Sequence, residues 1–191
     1  MTKQKDFLDQ GIANHRAGNF AVAKKIYQRI LIDRPQHSDA LHLLGLLEFQ
    51  VGNTGIAEKF IQKAIKSNPK VATYFSNFGR ILKASGKVER AIEAYKRALK
   101  LNIGDSQVYS DLAAAYIEIE EYDSAKRAAK AALKICPKSS HALLNLGLAQ
   151  RAIGQNDSAF NSFKAATEGN MHLAEAYFQY GPGLYGNGLF A

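Results

Sequence analysis

The residues best equipped for chemistry in this chain do not assemble a reactive group. His15, His37, His42, His141 and His172 are scattered, and no two have the His-x-x-x-His spacing that sets both imidazoles on one helix face around a metal. Cys136 is the single cysteine, so neither a disulfide within the chain, a Cys-x-x-Cys redox pair nor a cysteine zinc cluster can form. It precedes Pro137 and reads as a small packing residue. No Ser-His-Asp or Cys-His pattern and no Gly-rich phosphate loop is recognisable. We therefore expect no enzyme, no cofactor and no metal. What remains is hydrogen bonding and charge: Asn77 and Asn145 carry amides that both donate and accept, Asp111 accepts, and Arg80, Lys83 and Arg151 offer charged donors to carboxylates or phosphates.

These residues recur on a fixed ruler. Asp9, Leu43, Asn77, Asp111, Asn145 and Gln179 are spaced by 34 residues. So are Gly11, Gly45, Gly79, Ala113, Gly147 and Gly181; Gly18, Gly52, Gly86, Glu120 and Gly154; and Ala23, Ala57, Ala91, Ala125 and Ala159. Tyr27, Ile61, Tyr95, Ala129 and Phe163 keep the same step, as do Pro35, Pro69, Ile103, Pro137 and Met171. Independent helices would not hold such a register, so one supersecondary unit has been repeated.

Within a unit the apolar residues follow helical spacing. Tyr109, Leu112, Ala113 and Tyr116 form one stripe; Ala91, Ile92, Tyr95, Ala98 and Leu99 form another, with Glu89, Arg90, Glu93, Lys96, Arg97 and Lys100 turned to water. Ser85-Gly86-Lys87 marks the turn between two helices, and Pro69 or Pro137 the stop after the second. Gly79 and Ala91 are expected to let the two helix backbones approach closely. Each unit is thus a helical hairpin that buries its stripe against its neighbours.

The period, with Leu-Gly on the first helix, Ala and a large residue on the second and Pro at the end, resembles the tetratricopeptide repeat. The resemblance covers repeats 4–37, 38–71, 72–105, 106–139 and 140–173, with a partial sixth at 174–180. It implies an all-α fold, a right-handed α-solenoid of five stacked helix-turn-helix repeats plus a truncated sixth first helix, forming one array over 4–180. Departures are local: Gln10 replaces the expected Leu, Asn14 and Glu48 replace the aromatic, and Ile103 and Met171 replace the terminal Pro, which leaves those helix ends open.

In that family the first helices line a concave groove, and the column Asp9 to Gln179 looks into it. This is similar to the asparagine ladder in the arm of O-linked N-acetylglucosamine transferases, where amides hold an extended polypeptide. Ala40 to Gly45 and Asn145 to Gly147 also resemble those repeats. The resemblance implies a protein-binding scaffold, with a substrate-recruiting arm of such a transferase as the alternative. Asn77 and Asn145 match the ladder, whereas Leu43 can neither donate nor accept; ordinary solvated positions stay an equal reading. His42, Phe49, Ser110 and His141 join Asp111, Arg80, Lys83 and Arg151 as further groove candidates. The carboxylate clamp that some family members use finds Leu8, Ile12, Leu43, Ser76 and Arg80 at its positions and is rejected.

The chain has 191 residues, 47% of them hydrophobic, and a formal net charge of +8. That charge lies mainly on second helices, interspersed with Glu58, Glu89, Glu93 and Asp123, which suits a solvated surface with i,i+4 pairs better than a nucleic-acid interface. The N-terminal ten residues lack a signal-peptide plan, and no apolar run approaches the roughly 20 residues needed to span a bilayer. A cytoplasmic protein with a protein or peptide partner is expected. The Gly/Pro-rich tail 181–191 carries Leu184, Tyr185, Leu189 and Phe190, a set suited to self-association.

Overall fold

The computed structural model describes residues 2–169, with residues 2–6 as backbone alone. Those residues form ten helices and, among them, no strand. The helices pair as α1 (Thr2–Arg16) with α2 (Phe20–Asp33), α3 (Ser38–Gln50) with α4 (Thr54–Ser67), and α5 (Ala72–Ala84) with α6 (Val88–Leu101). The fourth and fifth pairs are α7 (Ser106–Glu118) with α8 (Tyr122–Ile135), and α9 (Ser140–Ala152) with α10 (Asn156–Gly169). The fold is all-α, built of the helical hairpins that the 34-residue columns imply. His172, Gln179, the partial repeat 174–180 and the tail 181–191 lie outside the described residues.

The chain divides into two compact units, one ending at Leu101 and the other starting at Asn102. In the first, three hairpins stack through α2 against α3 and α4 against α5. In the second, two hairpins stack through α8 and α7 against α9.

Helix boundaries follow local chemistry. First helices start at Ser38, Ala72, Ser106 and Ser140, the repeat boundaries read from the columns. Asp105 accepts the amides of Gln107 and Val108, Ser139 accepts that of Ala142, and the His37 ring accepts that of Ala40, so each caps donors the following helix leaves unpaired. Second helices end at Asp33, Ser67, Leu101 and Ile135, two residues before Pro35, Pro69, Ile103 and Pro137. The helix before Ile103 stops in register without its proline. Between paired helices Gly86 takes a φ of 72°, and Glu120, in the same column, takes 62°. A side chain in that conformation costs about 1 kcal/mol, which this turn absorbs.

The small columns make room for large residues of the partner helix. A Cβ built on Gly79 would meet the Tyr95 ring at 2.5 Å, and one on Gly147 the Phe163 ring at 2.5 Å. The missing side chain therefore seats a ring of the partner helix. At Gly45 side chain and backbone both come close, since the Cβ would lie 2.9 Å from the Ile61 side chain and 3.3 Å from the Ala57 carbonyl.

At Glu48, which replaces the family's aromatic, and at Gln150, 102 residues on in the same 34-residue column, buried polar links take its place. Glu48, 2% exposed, takes an ion pair from Lys24 of α2 at 2.7 Å and a hydrogen bond from Asn53 at 2.7 Å. Gln150 accepts from the buried Ser162 hydroxyl at 2.7 Å, joining α9 to α10. Burial pushes the Glu48 carboxyl up, but the hydrogen bonds from Lys24 and Asn53 and the lysine charge hold it below its usual value. Lys24→Met removes that support from a carboxylate that stays buried, so we expect a loss of about 1 to 2 kcal/mol in urea unfolding at pH 7. With desolvation then dominant the carboxyl pKa rises, and the loss shrinks as pH falls towards 4. In Lys24→Met/Glu48→Leu most of the loss should be recovered, because no charge is left behind.

Candidate partner-binding site

The candidate residues fall on first helices, in two sets that belong to different compact units. On the first unit His42 and Phe49 lie on α3, and Asn77, Arg80 and Lys83 on α5. Ser110 and Asp111 on α7, and His141, Asn145 and Arg151 on α9, belong to the second.

In the first unit His42 sits under a polar clasp between consecutive first helices. Its ring stacks on Tyr74 of α5, with centroids 4.6 Å apart and planes 29° from parallel. The Asn77 amide donates to His42 Nε2 at 3.0 Å, while the Tyr74 hydroxyl donates to the Asp39 carboxylate. With the amide NH₂ on this side, Nε2 is the acceptor, the arrangement that suits a neutral imidazole protonated at Nδ1. Burial lowers the His42 pKa to about 4, against the opposing pull of Asp39. Between α1 and α3 the clasp is His15 Nε2–H donating to Gln50 Oε1 at 2.6 Å, with the Tyr27 hydroxyl directed at Nδ1 at 3.3 Å.

The second unit repeats the device with other groups. The Asn145 amide donates to the Ser110 carbonyl at 2.9 Å and to its hydroxyl at 3.3 Å, and Ser110 is buried. Asp111 accepts from Gln107 on its own helix at 2.9 Å. His15–Gln50, Asp39–Tyr74, His42–Asn77 and Ser110–Asn145 are all 35 residues apart. One repeat plus one residue is thus the register at which neighbouring first helices touch.

The two ladder-like amides are therefore already engaged inside the protein, each through its NH₂ group. Arg80 and His141 are exposed and Lys83 is half-buried. Phe49 packs against the core of Ala57, Ile61 and Ile81 beside Phe78, and the Arg151 guanidinium lies 5.9 Å from the Phe163 ring centre. Sequence reasoning missed Glu48 and Gln150 as buried linkers and Tyr74 as the ring that covers His42. The signal for the last was available: a hydrogen-bonding residue at one position and a complementary one 35 further on. Among the described residues no cluster of three or more His, Cys, Asp or Glu is placed to hold a metal ion, and no helix is long and apolar enough to cross a membrane.

The fold is similar to that of crystallised MamA, at 26% identity and a TM-score of 0.78 over 90% of this chain and 94% of that one. It also resembles YrrB, described as a tetratricopeptide protein with an unusual peptide-binding site, at 16% identity and a TM-score of 0.75 over 86% and 84%. PilF of Pseudomonas aeruginosa, at 18% identity, gives a TM-score of 0.80 over 87% and 76%. No curated protein matches by sequence. Residues 11–145 match the family model described as regulator of microtubule dynamics protein 1-3. That match spans well over half of the chain and coincides with its tetratricopeptide hairpins, so the chain belongs to the regulator of microtubule dynamics protein 1-3 family.

Proposed function

We propose that this protein is an interaction scaffold that holds an extended segment or a helix of a partner protein against its first helices. The observation that carries the reading is the clasp register. His42–Asn77 and Ser110–Asn145 fix polar side chains on the first-helix faces before any partner arrives, beside cations such as Arg80. Groups already held in place lose little side-chain entropy on binding. Each clasped amide keeps its carbonyl oxygen to accept a partner's N–H, and the cations favour partner carboxylates. A peptide site in YrrB, a protein of the same fold, supports this reading, as does a family description that concerns a protein polymer.

Selection of a random displayed peptide library on the immobilised protein tests it. Peptides captured by wild type should bind about 10-fold or more weakly to Arg80→Glu/Lys83→Glu, or to Asn145→Ala/Arg151→Glu, with each variant's helicity checked by circular dichroism. Captured peptides whose affinity ignores both pairs of substitutions would remove the first-helix faces from the function.

A further inference from the structure

A second surface lies on the first compact unit, on the other side of α5 from Asn77 and Arg80. There Phe75, Phe78 and Leu82, which share one face by helical spacing, floor a groove whose rails are the second helices α4 and α6. The groove encloses ≈ 380 Å³, a volume in the range of binding pockets, and both phenylalanines are half-buried, not covered. The rails are tied at one end by Glu58 of α4, which pairs with Lys87, just before α6, at 2.7 Å and with Arg90 on α6 at 3.2 Å. Those pairs, with the lysine hydrogen bond foremost, hold the Glu58 carboxyl below its usual value, so the tie is charged at neutral pH.

The rim chemistry selects an occupant. Arg90 is matched by Glu58, which leaves Lys66 on α4 and Arg97 on α6 facing a single acid, Glu93. The Arg97 guanidinium stands 5.9 Å from the Phe75 ring centre, so it extends from the apolar floor to the rim. An extended peptide finds little to pair with on these walls, because the backbone of both rails is already hydrogen-bonded within its helices and the one amide side chain in the lining, Gln62, is turned to Glu58 of the same helix. Its own N–H and C=O groups would be left unpaired over phenylalanine. A helix brings its backbone bonds with it and lays an apolar stripe on the floor between the two rails.

We infer that the α4–α6 groove receives an amphipathic helix of a partner protein, with aromatic or aliphatic anchors at i, i+3/i+4 and i+7 on Phe75 and Phe78, and Asp or Glu flanking them towards Lys66 and Arg97. This site is separate from the face of α5 that carries Asn77 and Arg80, and its occupancy does not depend on that face.

The displayed library decides the matter when it is screened a second time, against Phe75→Ser/Arg97→Glu. Phe75 is a half-buried residue of the floor and Arg97 is exposed at the rim, whereas Phe78, which packs on the core, is left intact so that the unit stays folded. The expected result is a class of acidic amphipathic peptides at least 10-fold weaker on Phe75→Ser/Arg97→Glu, unchanged on Arg80→Glu/Lys83→Glu, and weakened further by raised salt. The inference is overturned if no selected peptide is sensitive to the Phe75/Arg97 pair. It is equally overturned if the sensitive peptides lack acidic flanks or helical periodicity, or if sedimentation shows a dimer that Phe75→Ser/Arg97→Glu dissociates, making a second copy the occupant. Failure of the first-helix faces would appear separately, as indifference to Arg80→Glu/Lys83→Glu in every peptide class.

Discussion

Gly79→Ala is expected to lower stability by about 3 kcal/mol in urea unfolding, the upper end of the overpacking range, although it adds one methyl group. The new Cβ would meet Tyr95 Cε1 at 2.5 Å, Cδ1 at 2.7 Å and Cζ at 2.9 Å. Those atoms belong to a ring that is 1% exposed, so it has no open direction in which to retreat. Alanine is otherwise the better helix former by up to about 1 kcal/mol, and propensity alone predicts the opposite sign. The chain contains its own control. Its repeats pair Gly11 with Tyr27, Gly45 with Ile61, Gly79 with Tyr95 and Gly147 with Phe163, but Ala113 with Ala129. Alanine enters the first helix only where the second helix has given up its large side chain. Accordingly, Gly79→Ala in a Tyr95→Ala background should cost almost nothing further, a coupling of about 3 kcal/mol in a double-mutant cycle. The same cycle on Gly147 and Phe163 gives an independent reading if Tyr95→Ala proves too unstable. Additive losses would mean that the glycine column serves some purpose other than seating the ring.

Both members of those pairs were visible as separate 34-residue columns, and so were the helix starts, the turns and the hairpin count. Those features depend on one residue's own backbone preference or on its place in a helical stripe, and periodicity reports both. Whatever depends on two columns meeting was less legible. Asn77 read as a groove amide because its own column is polar; its engagement with His42 follows from the 35-residue register between neighbouring first helices, which no single column shows. Phe49 read as a groove residue by the same reasoning, and its packing on Ile61 and Ile81 was not legible there. Glu48 broke the aromatic pattern and read as a defect; its partners, Lys24 on the preceding hairpin and Asn53 in the following turn, are contacts that no single column reveals. The α4–α6 groove was hidden because Phe75 and Phe78 fit an ordinary core stripe.

Stability should fall by about 3 kcal/mol between pH 6.5 and pH 4 through His42 alone. Its folded pKa is about 4 against an ordinary 6.5, so over that interval the unfolded chain binds a proton that the native state refuses. The contribution is complete above pH 6.5, declines at about 1.4 kcal/mol per pH unit, and changes no further below pH 4. Burial against the Tyr74 ring is the main cause, and the Asn77 N–H aimed at Nε2 occupies the position a second ring proton would need. Asp39 is the one charged group that draws the pKa back up, and its carboxylate is shared with the Tyr74 hydroxyl. Glu48 and Glu58 also lose their contributions in acid, but both titrate below the usual carboxylate value and act at the lower end of the interval. Urea unfolding of wild type and His42→Gln at pH 7, 5.5 and 4 separates the two, since the variant should be less stable at pH 7 and lose much less on acidification. Asn77→Asp supplies the opposite sign: a carboxylate facing Nε2 accepts from the imidazolium, raises its pKa and flattens the profile above pH 5. Parallel curves for all three proteins would show that the imidazole between α3 and α5 is protonated as readily in the native state as in the unfolded chain.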